Sequence, residues 1–385
     1  MIIRGIKACE LKDTRKDKTI LVSIKTDVGL FSASSPTGKS TGKHEKPAYK
    51  KSLEKDIESL NKLSDYFKEE IIEKFADLRR VEDLVDGHVG ANTTFALESA
   101  VLKALAKEGK KEVWQLINPK AKKFPRFLGN IVGGAKHSES KKKPDFQEFL
   151  IIPKTSSPKK SYSTNIMTKK AAGKVLSKID KGFKNKKNDE NAWMTQLGER
   201  DILSLLEKTK LDLGLDIAAS SFYKGKKYKY NNPPLDRTIP EQLDYISNLI
   251  KNYSTLSYIE DPFDEEDFES FAKLLKKHPD RLIVGDDLTV TNIKRLKKAI
   301  EKKSINAIII KPNQCGSLLE VEQVIKLAKE NDIKIVFSHR SGETSETILA
   351  DLAFGFGADF FKCGIDGDAR VKKLERLIEI EKSFK

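Results

Sequence analysis

The stretch that decides the fold is LSYIEDPFDEEDFESFAKLLKKHPDRLIVGDDLTVTNIKRLKKAIEKKSINAIIIK, residues 256–311. It contains runs of mostly apolar residues that each end at an ionisable residue: Leu256–Glu260, Leu282–Asp286 and Ala307–Lys311. Between these runs, Glu266–Lys277 and Asn292–Lys302 have the spacing of amphipathic helices. Apolar strands that alternate with helices predict a parallel sheet covered on both faces.

The same pattern continues on both sides of this stretch. Further apolar runs end at Asp216, His339 and Lys362, and further helical patterns cover Leu318–Asn331 and Ser345–Phe354. An open doubly wound sheet places its site at one switch point, whereas a (β/α) barrel places functional residues after many strands. We therefore predict an α/β protein whose second part is a (β/α)8 barrel, with its site at the carboxyl ends of the strands.

The first part of the chain is predicted to form an N-terminal α+β domain over residues 1–118. A hinge at 118–125 would lead into the barrel, which is predicted over residues 124–385. Alternating residues around Thr26–Gly29 predict a β-hairpin. A helix is predicted over Asn92–Gly109, with Asn92 as its N-cap and a glycine at its end.

The composition excludes several classes of protein. The 385 residues are 38% hydrophobic and 34% charged, which is typical of a globular protein, and no apolar run is long enough to cross a membrane. Few, widely spaced cysteines predict a reducing, cytoplasmic location. The net charge of +15 comes from lysines interleaved with acidic residues along the chain, so we expect a solvated surface and no nucleic-acid partner.

Three strand ends place carboxylates at the predicted mouth of the barrel: Asp216, Glu260 and Asp286. Buried carboxylates repel one another unless a cation lies between them. Oxygen ligands without a nearby cysteine select Mg²⁺, or Mn²⁺, rather than zinc. The sequence therefore predicts a divalent-cation site formed by these residues.

The remaining strand ends supply the cations Lys311, Arg340 and Lys362, with His339 and Ser341 beside them. A cationic cluster opposite a metal suits a substrate that carries both phosphate and carboxylate, and an arginine binds phosphate through two hydrogen bonds. Burial and a neighbouring cation both lower the pKa of a lysine. We therefore expect a lysine here to act as a base toward a carbon acid.

The motifs of this region resemble those of enolases. SYIEDPFDEEDFESF, IVGDDLTVTNIKRLKKAIE, IIIKPNQCGSLLE and VFSHRSGETSET are similar to the C-terminal half of that family, in order. Counterparts also exist for LDIAASSFY, NIVGGAKHS, FQEFLIIP, LVDGHVGAN, SSPTGKSTGKHE and LKDTRKDKT, so the resemblance covers nearly the whole chain. It implies an enolase-type (β/α)8 barrel and the reversible, Mg²⁺-dependent dehydration of 2-phosphoglycerate to phosphoenolpyruvate in glycolysis and gluconeogenesis.

The resemblance also implies a role for each matching residue. Lys311 would be the base at carbon 2, and Glu190, supported by Glu148, would be the acid at carbon 3. Lys362 and His339 would complete the catalytic set. The implied substrate-binding residues are His137, Gln147, Arg340, Ser341 and Ser40, and the implied Mg²⁺ ligands are Asp216, Glu260, Asp286 and Ser40. The small-molecule substrate is the implied partner, and a homo-oligomer, either a dimer or a larger assembly, is implied as well.

Two departures from the family pattern affect these expectations. Asn191 and Ala192 replace two glycines that follow Glu190 in the family. Because alanine adopts positive φ poorly, the loop that carries Glu190 is expected to be placed differently. The segment GIDGDAR, after Lys362, replaces a run that contributes to subunit contacts in the family.

Other functions fit the residues less well. Residues 33–40 nearly match a phosphate-binding P-loop, but Ala33 stands where that motif has glycine, and Gly42 and Pro47 discourage the helix that must follow. A sugar-acid dehydratase is disfavoured because the basic and hydroxyl residues suit phosphate. The remaining alternative is a diverged enolase-like protein without lyase activity that acts as a binding or scaffold module, on RNA in view of the charge.

Overall fold

The computed structural model describes residues 1–39 and 41–384. The part before the barrel is a three-stranded antiparallel sheet with helices packed against it. Its elements are β1 Ile3–Lys12, β2 Lys18–Thr26, β3 Gly29–Ser34, α1 Leu53–Leu63, α2 Leu78–Val85, α3 Ala91–Glu108 and α4 Val113–Ile117. The predicted hairpin is present, since Thr26 pairs with Gly29 across the turn between β2 and β3.

Helix α3 uses a different cap from the predicted one. Gly90 is its N-cap, and Asp56 Oδ2 accepts hydrogen bonds of 2.7 Å from Gly90 N and from Thr93 Oγ1 in the first turn. Asn92 lies inside that turn, and its Oδ1 accepts a 2.9 Å hydrogen bond from Asn313 Nδ2 in the barrel. The prediction that Asn92 caps the helix is therefore wrong, because a contact with a distant segment engages its side chain.

Eight strands close into a barrel. In chain order the elements are β4 Arg126–Gly133, β5 Glu148–Ile152, α5 Pro158–Ile179, α6 Glu199–Glu207, β6 Asp212–Asp216, β7 Tyr223–Lys224, β8 Lys227–Asn231, β9 Pro234–Arg237, α7 Ile239–Asn252, β10 Leu256–Glu260, α8 Phe268–Lys277, β11 Leu282–Gly285, α9 Ile293–Lys302, β12 Ala307–Ile310, α10 Leu318–Glu330, β13 Lys334–Ser338, α11 Ile348–Gly355, β14 Phe360–Lys362 and α12 Asp368–Ser383. The barrel order is β4-β5-β6-β10-β11-β12-β13-β14, and β7–β9 form a small separate sheet. None of the described helices is long and apolar enough to span a bilayer.

The predicted barrel is confirmed, but it is not parallel throughout. The predicted set of apolar runs that end at an ionisable residue did not include β4 or β5. In the structure, β5 runs antiparallel to both of its neighbours. No α-helix crosses over between β4 and β5, and strands joined without a crossover run antiparallel. As a result Glu148, at the start of β5, pairs with Asp216 at the end of β6, and both lie on the same rim.

The interior of the barrel is a closed apolar cluster, formed by Leu128, Leu150, Ile152, Tyr258, Val284, Ala307, Ile309, Val336 and Phe360. Burying a large side chain of this kind stabilises a fold by roughly 1.5–3 kcal/mol. The well-packed barrel interior therefore supports the rim that carries the polar residues. A second core between strands and helices continues without a break into the N-terminal sheet.

Candidate active site

The ends of the parallel strands and the start of β5 surround a narrow polar cavity of about 40 Å³. Since one water needs about 10–15 Å³ by this measure, the cavity has room for only a few waters. Most predicted site residues line it, namely His137, Gln147, Glu148, Glu190, Asp216, Asp286, Lys311, His339, Arg340, Ser341 and Lys362. Glu260 adjoins it through a contact with Lys362, and Ser40 lies outside the described residues.

Lys362, at the end of β14, is surrounded by carboxylates. Its Nζ donates to Asp216 Oδ2 at 2.7 Å and to both oxygens of Glu260 at 2.8 Å, and it lies 3.4 Å from Glu148 Oε1. Burial acts to lower the pKa of Lys362, but the surrounding carboxylates outweigh it and hold the pKa well above its ordinary value. Lys362 is therefore a fixed positive charge rather than a base.

Lys311, which follows β12, is paired with Asp286. Burial acts to lower the pKa of Lys311, and the cations Arg340 and Lys362 act in the same direction. The Asp286 carboxylate outweighs them, so that the pKa lies above its ordinary value. The expectation of a lowered lysine pKa is therefore wrong for this arrangement, because the nearest charged group is a carboxylate rather than a cation.

Each of the three predicted metal ligands contacts one of these two lysines. Asp216 and Glu260 contact Lys362, and Asp286 contacts Lys311. Burial raises the pKa of Glu260 to about 8, and repulsion by Asp216 adds to the increase. These carboxylate oxygens are buried and crowded, so they repel one another. A hard divalent cation bound among them would relieve that repulsion.

Two further aspartates, Asp261 and Asp287, lie beside Asp286. One carboxylate oxygen from each of the three lies within 4.8 Å of the other two. Asp261 accepts hydrogen bonds from Asp286 N at 3.1 Å and from Asp287 N at 2.7 Å, so it orders the turn after β11. Sequence reasoning noted that Asp287 adjoins Asp286 but assigned it no role, and it left out Asp261, which directly follows Glu260.

Glu148 and Glu190 form a second acidic group. One carboxylate oxygen of each lies within 4.8 Å of the other and of a ring nitrogen of His339. Burial raises the pKa of Glu148 well above its ordinary value, and Lys362 only partly opposes this. Burial acts in the same way on Glu190, but His137 and other cations outweigh it and lower its pKa. The pKa values of the two carboxyls are thus shifted in opposite directions, so Glu148 holds its proton to a higher pH than Glu190 does.

His137 adds positive charge to this group. Its Nδ1 lies 2.8 Å from Asp189 Oδ1, and its Nε2 lies 3.9 Å from Glu190 Oε1. Burial acts to lower the pKa of His137, but Glu190 and Asp189 outweigh it and raise the pKa. Asn130 Nδ2 also donates to Glu190 Oε2 at 3.3 Å, so the ionised Glu190 has both a cation and a donor beside it.

The opposite wall of the cavity carries anion-binding groups. Arg340 donates through Nη1 and Nη2 to the carboxylate of Glu45 at 3.0–3.1 Å. Gly38 lies so close to the guanidinium that a Cβ atom there would be 2.0 Å from Nη2, so this approach requires glycine. Ser341 Oγ accepts a 3.1 Å hydrogen bond from Arg15 Nη1. The guanidinium group of Arg340 and the hydroxyl of Ser341, which both line the cavity, suit a phosphate.

Comparisons with known proteins identify the family of the chain. A family model described as the enolase C-terminal TIM barrel domain matches residues 121–385. The enolase of Pyrobaculum aerophilum is 37% identical over 98% of this chain and 93% of its own. The chain belongs to the enolase family. The enolases of Methanosphaera stadtmanae and Methanothermobacter thermautotrophicus are 35% and 34% identical, each over 100% of this chain and 97% of their own.

Membership of the enolase family confirms the predicted class of enzyme, a carbon–oxygen lyase. It likewise confirms the predicted function, dehydration of 2-phosphoglycerate to phosphoenolpyruvate, and it does not favour the scaffold alternative. The P-loop interpretation is excluded by the fold, since no helix begins between residue 41 and the start of α1 at Leu53.

The loop that carries Glu190 in this enolase accommodates the two replaced glycines. Asn191 has a φ of 63°, a left-handed conformation that asparagine tolerates. Ala192 is not among the residues with positive φ. Asn188 Oδ1 accepts hydrogen bonds from Glu190 N at 3.1 Å and from Ala192 N at 2.8 Å. Only one of the two positions therefore needs positive φ, and asparagine occupies it.

The same loop is fastened to the segment after β14. Lys169, on α5, donates to Asn191 O and, at 3.3 Å, to Asp366 Oδ2. Lys187 also pairs with Asp366, and Asn191 Nδ2 donates to Asp366 O at 3.3 Å. Asp366 belongs to GIDGDAR. The two departures from the enolase pattern therefore contact each other, and together they hold the Glu190 loop.

Sequence reasoning missed three further residues of the site: Arg15, Glu45 and Arg370. Arg15 and Glu45 belong to LKDTRKDKT and SSPTGKSTGKHE, so the motifs pointed to their segments but not to their side chains. Arg370 lies in a segment that departs from the enolase pattern, and no local signal identifies it. Its contacts with His339 and Ser341 are visible only in the folded chain.

Proposed function

We propose that Lys311 and the Glu148–Glu190 pair carry the two proton transfers by which this enolase dehydrates 2-phosphoglycerate, with Mg²⁺ bound by Asp216, Glu260 and Asp286. The single observation that carries the proposal is that two kinds of titratable group line the same cavity. One is a lysine paired with a carboxylate, and the other is a pair of glutamates whose pKa values are shifted in opposite directions. A substrate between them would meet a base and an acid at once.

The first step removes the proton from carbon 2. Lys311 would take it as a neutral amine, and this requires that Asp286 no longer hold the ammonium form. Asp216, Glu260 and Asp286 would hold Mg²⁺, which would supply positive charge to the substrate carboxylate as negative charge develops there. Lys362, whose pKa keeps it positively charged, would add positive charge beside the same substrate group.

The second step removes the hydroxyl group from carbon 3. The protonated member of the Glu148–Glu190 pair donates its proton to the departing oxygen, so that the C–O bond breaks and water leaves. The electron pair left on carbon 2 forms the new double bond. His137, as a cation beside Glu190, keeps that carboxylate ionised, and Gln147, which donates to Asp216 at 3.1 Å, borders the same cavity.

Arg340 and Ser341 would bind the phosphate, with Arg15 holding Ser341 in place. A bidentate guanidinium is suited to this task. Ser40, for which we predict contacts with the substrate and with a metal ion, lies outside the described residues. The homo-oligomer and the cytoplasmic location stay predictions, which light scattering of the purified protein and fractionation of cells would test.

The experiment that tests these roles separates the two steps. Formation of phosphoenolpyruvate is followed by its ultraviolet absorbance, and loss of the carbon-2 proton is followed by exchange in deuterated water. We expect Lys311→Ala to abolish both and Glu148→Gln to abolish only product formation. Lys294→Ala, at an exposed position of α9, is the matched control and should keep both. Exchange that persists in Lys311→Ala would exclude Lys311 as the base.

A further inference from the structure

Arg370, in the first turn of α12, is a buried cation that the proposed reaction does not use. It is 0% exposed, and among the described residues no carboxylate oxygen lies within 4.0 Å of its guanidinium. A buried charge without an opposite partner is costly to a fold. Its presence here calls for a reason other than packing.

Both hydrogen-bond partners described for the Arg370 side chain belong to the site. Its Nε donates to His339 Nδ1 at 3.1 Å, and its Nη2 donates to Ser341 O at 2.8 Å. A guanidinium group has donors only, so His339 Nδ1 must accept through its lone pair and carries no proton. The ring is then neutral, and its single N–H is at Nε2.

We propose that Arg370 is a positioning residue that holds His339 as the neutral Nε2–H tautomer. A ring nitrogen of His339 lies within 4.8 Å of carboxylate oxygens of Glu148 and Glu190. In this tautomer the ring offers a hydrogen-bond donor to anionic groups in the cavity, and it accepts a proton only if the bond to Arg370 breaks. The catalytic proton therefore stays on the glutamate pair, and this last point rests on the proposed function.

The charges that face His339 act in the same direction. Burial lowers the pKa of His339 well below its ordinary value, Glu190 opposes this, and Arg370, Lys362 and Lys311 add to it. Replacement of Arg370 by an apolar residue removes one cation and leaves the Glu190 carboxylate in place. The ring should then protonate at a higher pH than it does in the wild-type enzyme.

The tautomer is tested directly by nuclear magnetic resonance of the full chain labelled with ¹⁵N at its five histidines. Long-range ¹H–¹⁵N spectra distinguish a bare imidazole nitrogen from a protonated one, and His339→Gln assigns the signals. We expect His339 to show a bare Nδ1 and a protonated Nε2 that do not change between pH 6 and pH 8. A protonated Nδ1 in the wild-type spectrum would overturn the proposal, whether or not the enzyme turns over.

Variants on α12 separate positioning from a general loss of structure. In Arg370→Met the His339 signals should show a mixture of the two neutral tautomers and should change between pH 6 and pH 8. Arg370→Lys should restore part of the wild-type pattern. Arg376→Met is the matched control, since Arg376 lies on the same helix but pairs with Asp351 of α11 rather than with a residue of the site. Unchanged His339 signals in a folded Arg370→Met variant would contradict the proposal.

The pH dependence of kcat gives a second readout. If His339 becomes protonated in Arg370→Met, kcat should fall toward acidic pH with a new limb, while the wild-type and Arg376→Met profiles lack it. A protein that shows the expected tautomer but no turnover would refute the proposed residue roles and leave the role of Arg370 intact. An Arg370→Met profile without the new limb, with the wild-type tautomer retained, would refute the role of Arg370.

Discussion

Replacing Lys362 with methionine tests the electrostatic design of the site. Its side chain is 3% exposed, and its Nζ contacts Asp216 and Glu260 at 2.7–2.8 Å. Removing one partner of a buried ion pair costs about 3–5 kcal/mol, because the other charge stays buried without compensation. Since Lys362 serves more than one carboxylate, we expect Lys362→Met to lose about 5 kcal/mol of unfolding free energy in the presence of EDTA.

Added Mg²⁺ should reverse part of this loss. A ligand at 100 times its Kd stabilises the folded state by about 2.7 kcal/mol. The lysine competes with the cation for the same oxygens in the wild type, so Mg²⁺ should stabilise Lys362→Met by more than it stabilises the wild-type protein. Guanidinium unfolding followed by circular dichroism, with EDTA or with Mg²⁺, measures both quantities.

The matched control is Lys334→Met, at a lysine on β13 whose side chain is 55% exposed and lies 3.8 Å from Asp359. A surface change of this kind should stay within about 0.5 kcal/mol of the wild type. The reasoning is refuted if Lys362→Met is as stable in EDTA as Lys334→Met. Equal stabilisation of wild type and Lys362→Met by Mg²⁺ would refute the assignment of these carboxylates as metal ligands.

Three further changes give distinct results. Gly38→Ala would place a Cβ 2.0 Å from Arg340 Nη2, so we expect a KM at least about tenfold higher in the turnover assay, the equivalent of about 1.4 kcal/mol of binding. Asp366→Asn should loosen the Glu190 loop and lower kcat more than it raises KM, measured in the same assay. Burial raises the pKa of Glu199 from 4.5 to about 7, so its contribution to stability is lost as pH rises through that interval. We therefore expect Glu199→Gln to remove about 3 kcal/mol from the pH dependence of the unfolding free energy, measured by denaturant unfolding.

Each of these changes has a control elsewhere in the chain. Gly109→Ala places a Cβ in ordinary contact at 3.5 Å and should leave KM unchanged. Asp236→Asn breaks a surface pair with Lys229 and should leave kcat unchanged. Glu241→Gln alters an exposed carboxylate, for which burial has no comparable effect. The explanation for Gly38 would be contradicted if Gly38→Ala had the KM of the wild type. The explanation for Asp366 would be contradicted if Asp366→Asn had the kcat of the wild type, and that for Glu199 if Glu199→Gln kept the wild-type pH dependence of stability.

The barrel was predictable because its parallel strands are apolar up to the residue that enters the site. Asp216, Glu260 and Lys362 each end such a strand. β5 escaped this argument because its functional residue, Glu148, is the first of the strand rather than the last. A rule based on carboxyl ends of strands fails wherever one strand is reversed, and only the resemblance to enolases identified Glu148.

Charge balance was harder to predict from the sequence. The sequence places Lys311 near carboxylates and near cations, but not at the distances that decide which effect prevails. The short contact with Asp286 makes the pKa of Lys311 rise rather than fall. Likewise the pairing of Arg340 with Glu45 joins residues that no local pattern connects. Such partners depend on tertiary contacts between segments far apart in the chain.

The hydrogen bond between Asn92 and Asn313 has a consequence for how the molecule unfolds. Asn313 Oδ1 also accepts from Arg340 Nη1 at 3.3 Å, so α3 of the N-terminal part supports Arg340. One apolar core also runs through both parts. We therefore expect that the parts on either side of the predicted boundary near residue 118 do not unfold independently. Heating should therefore produce a single cooperative transition, and the barrel expressed by itself would lack part of the scaffold of its own active site.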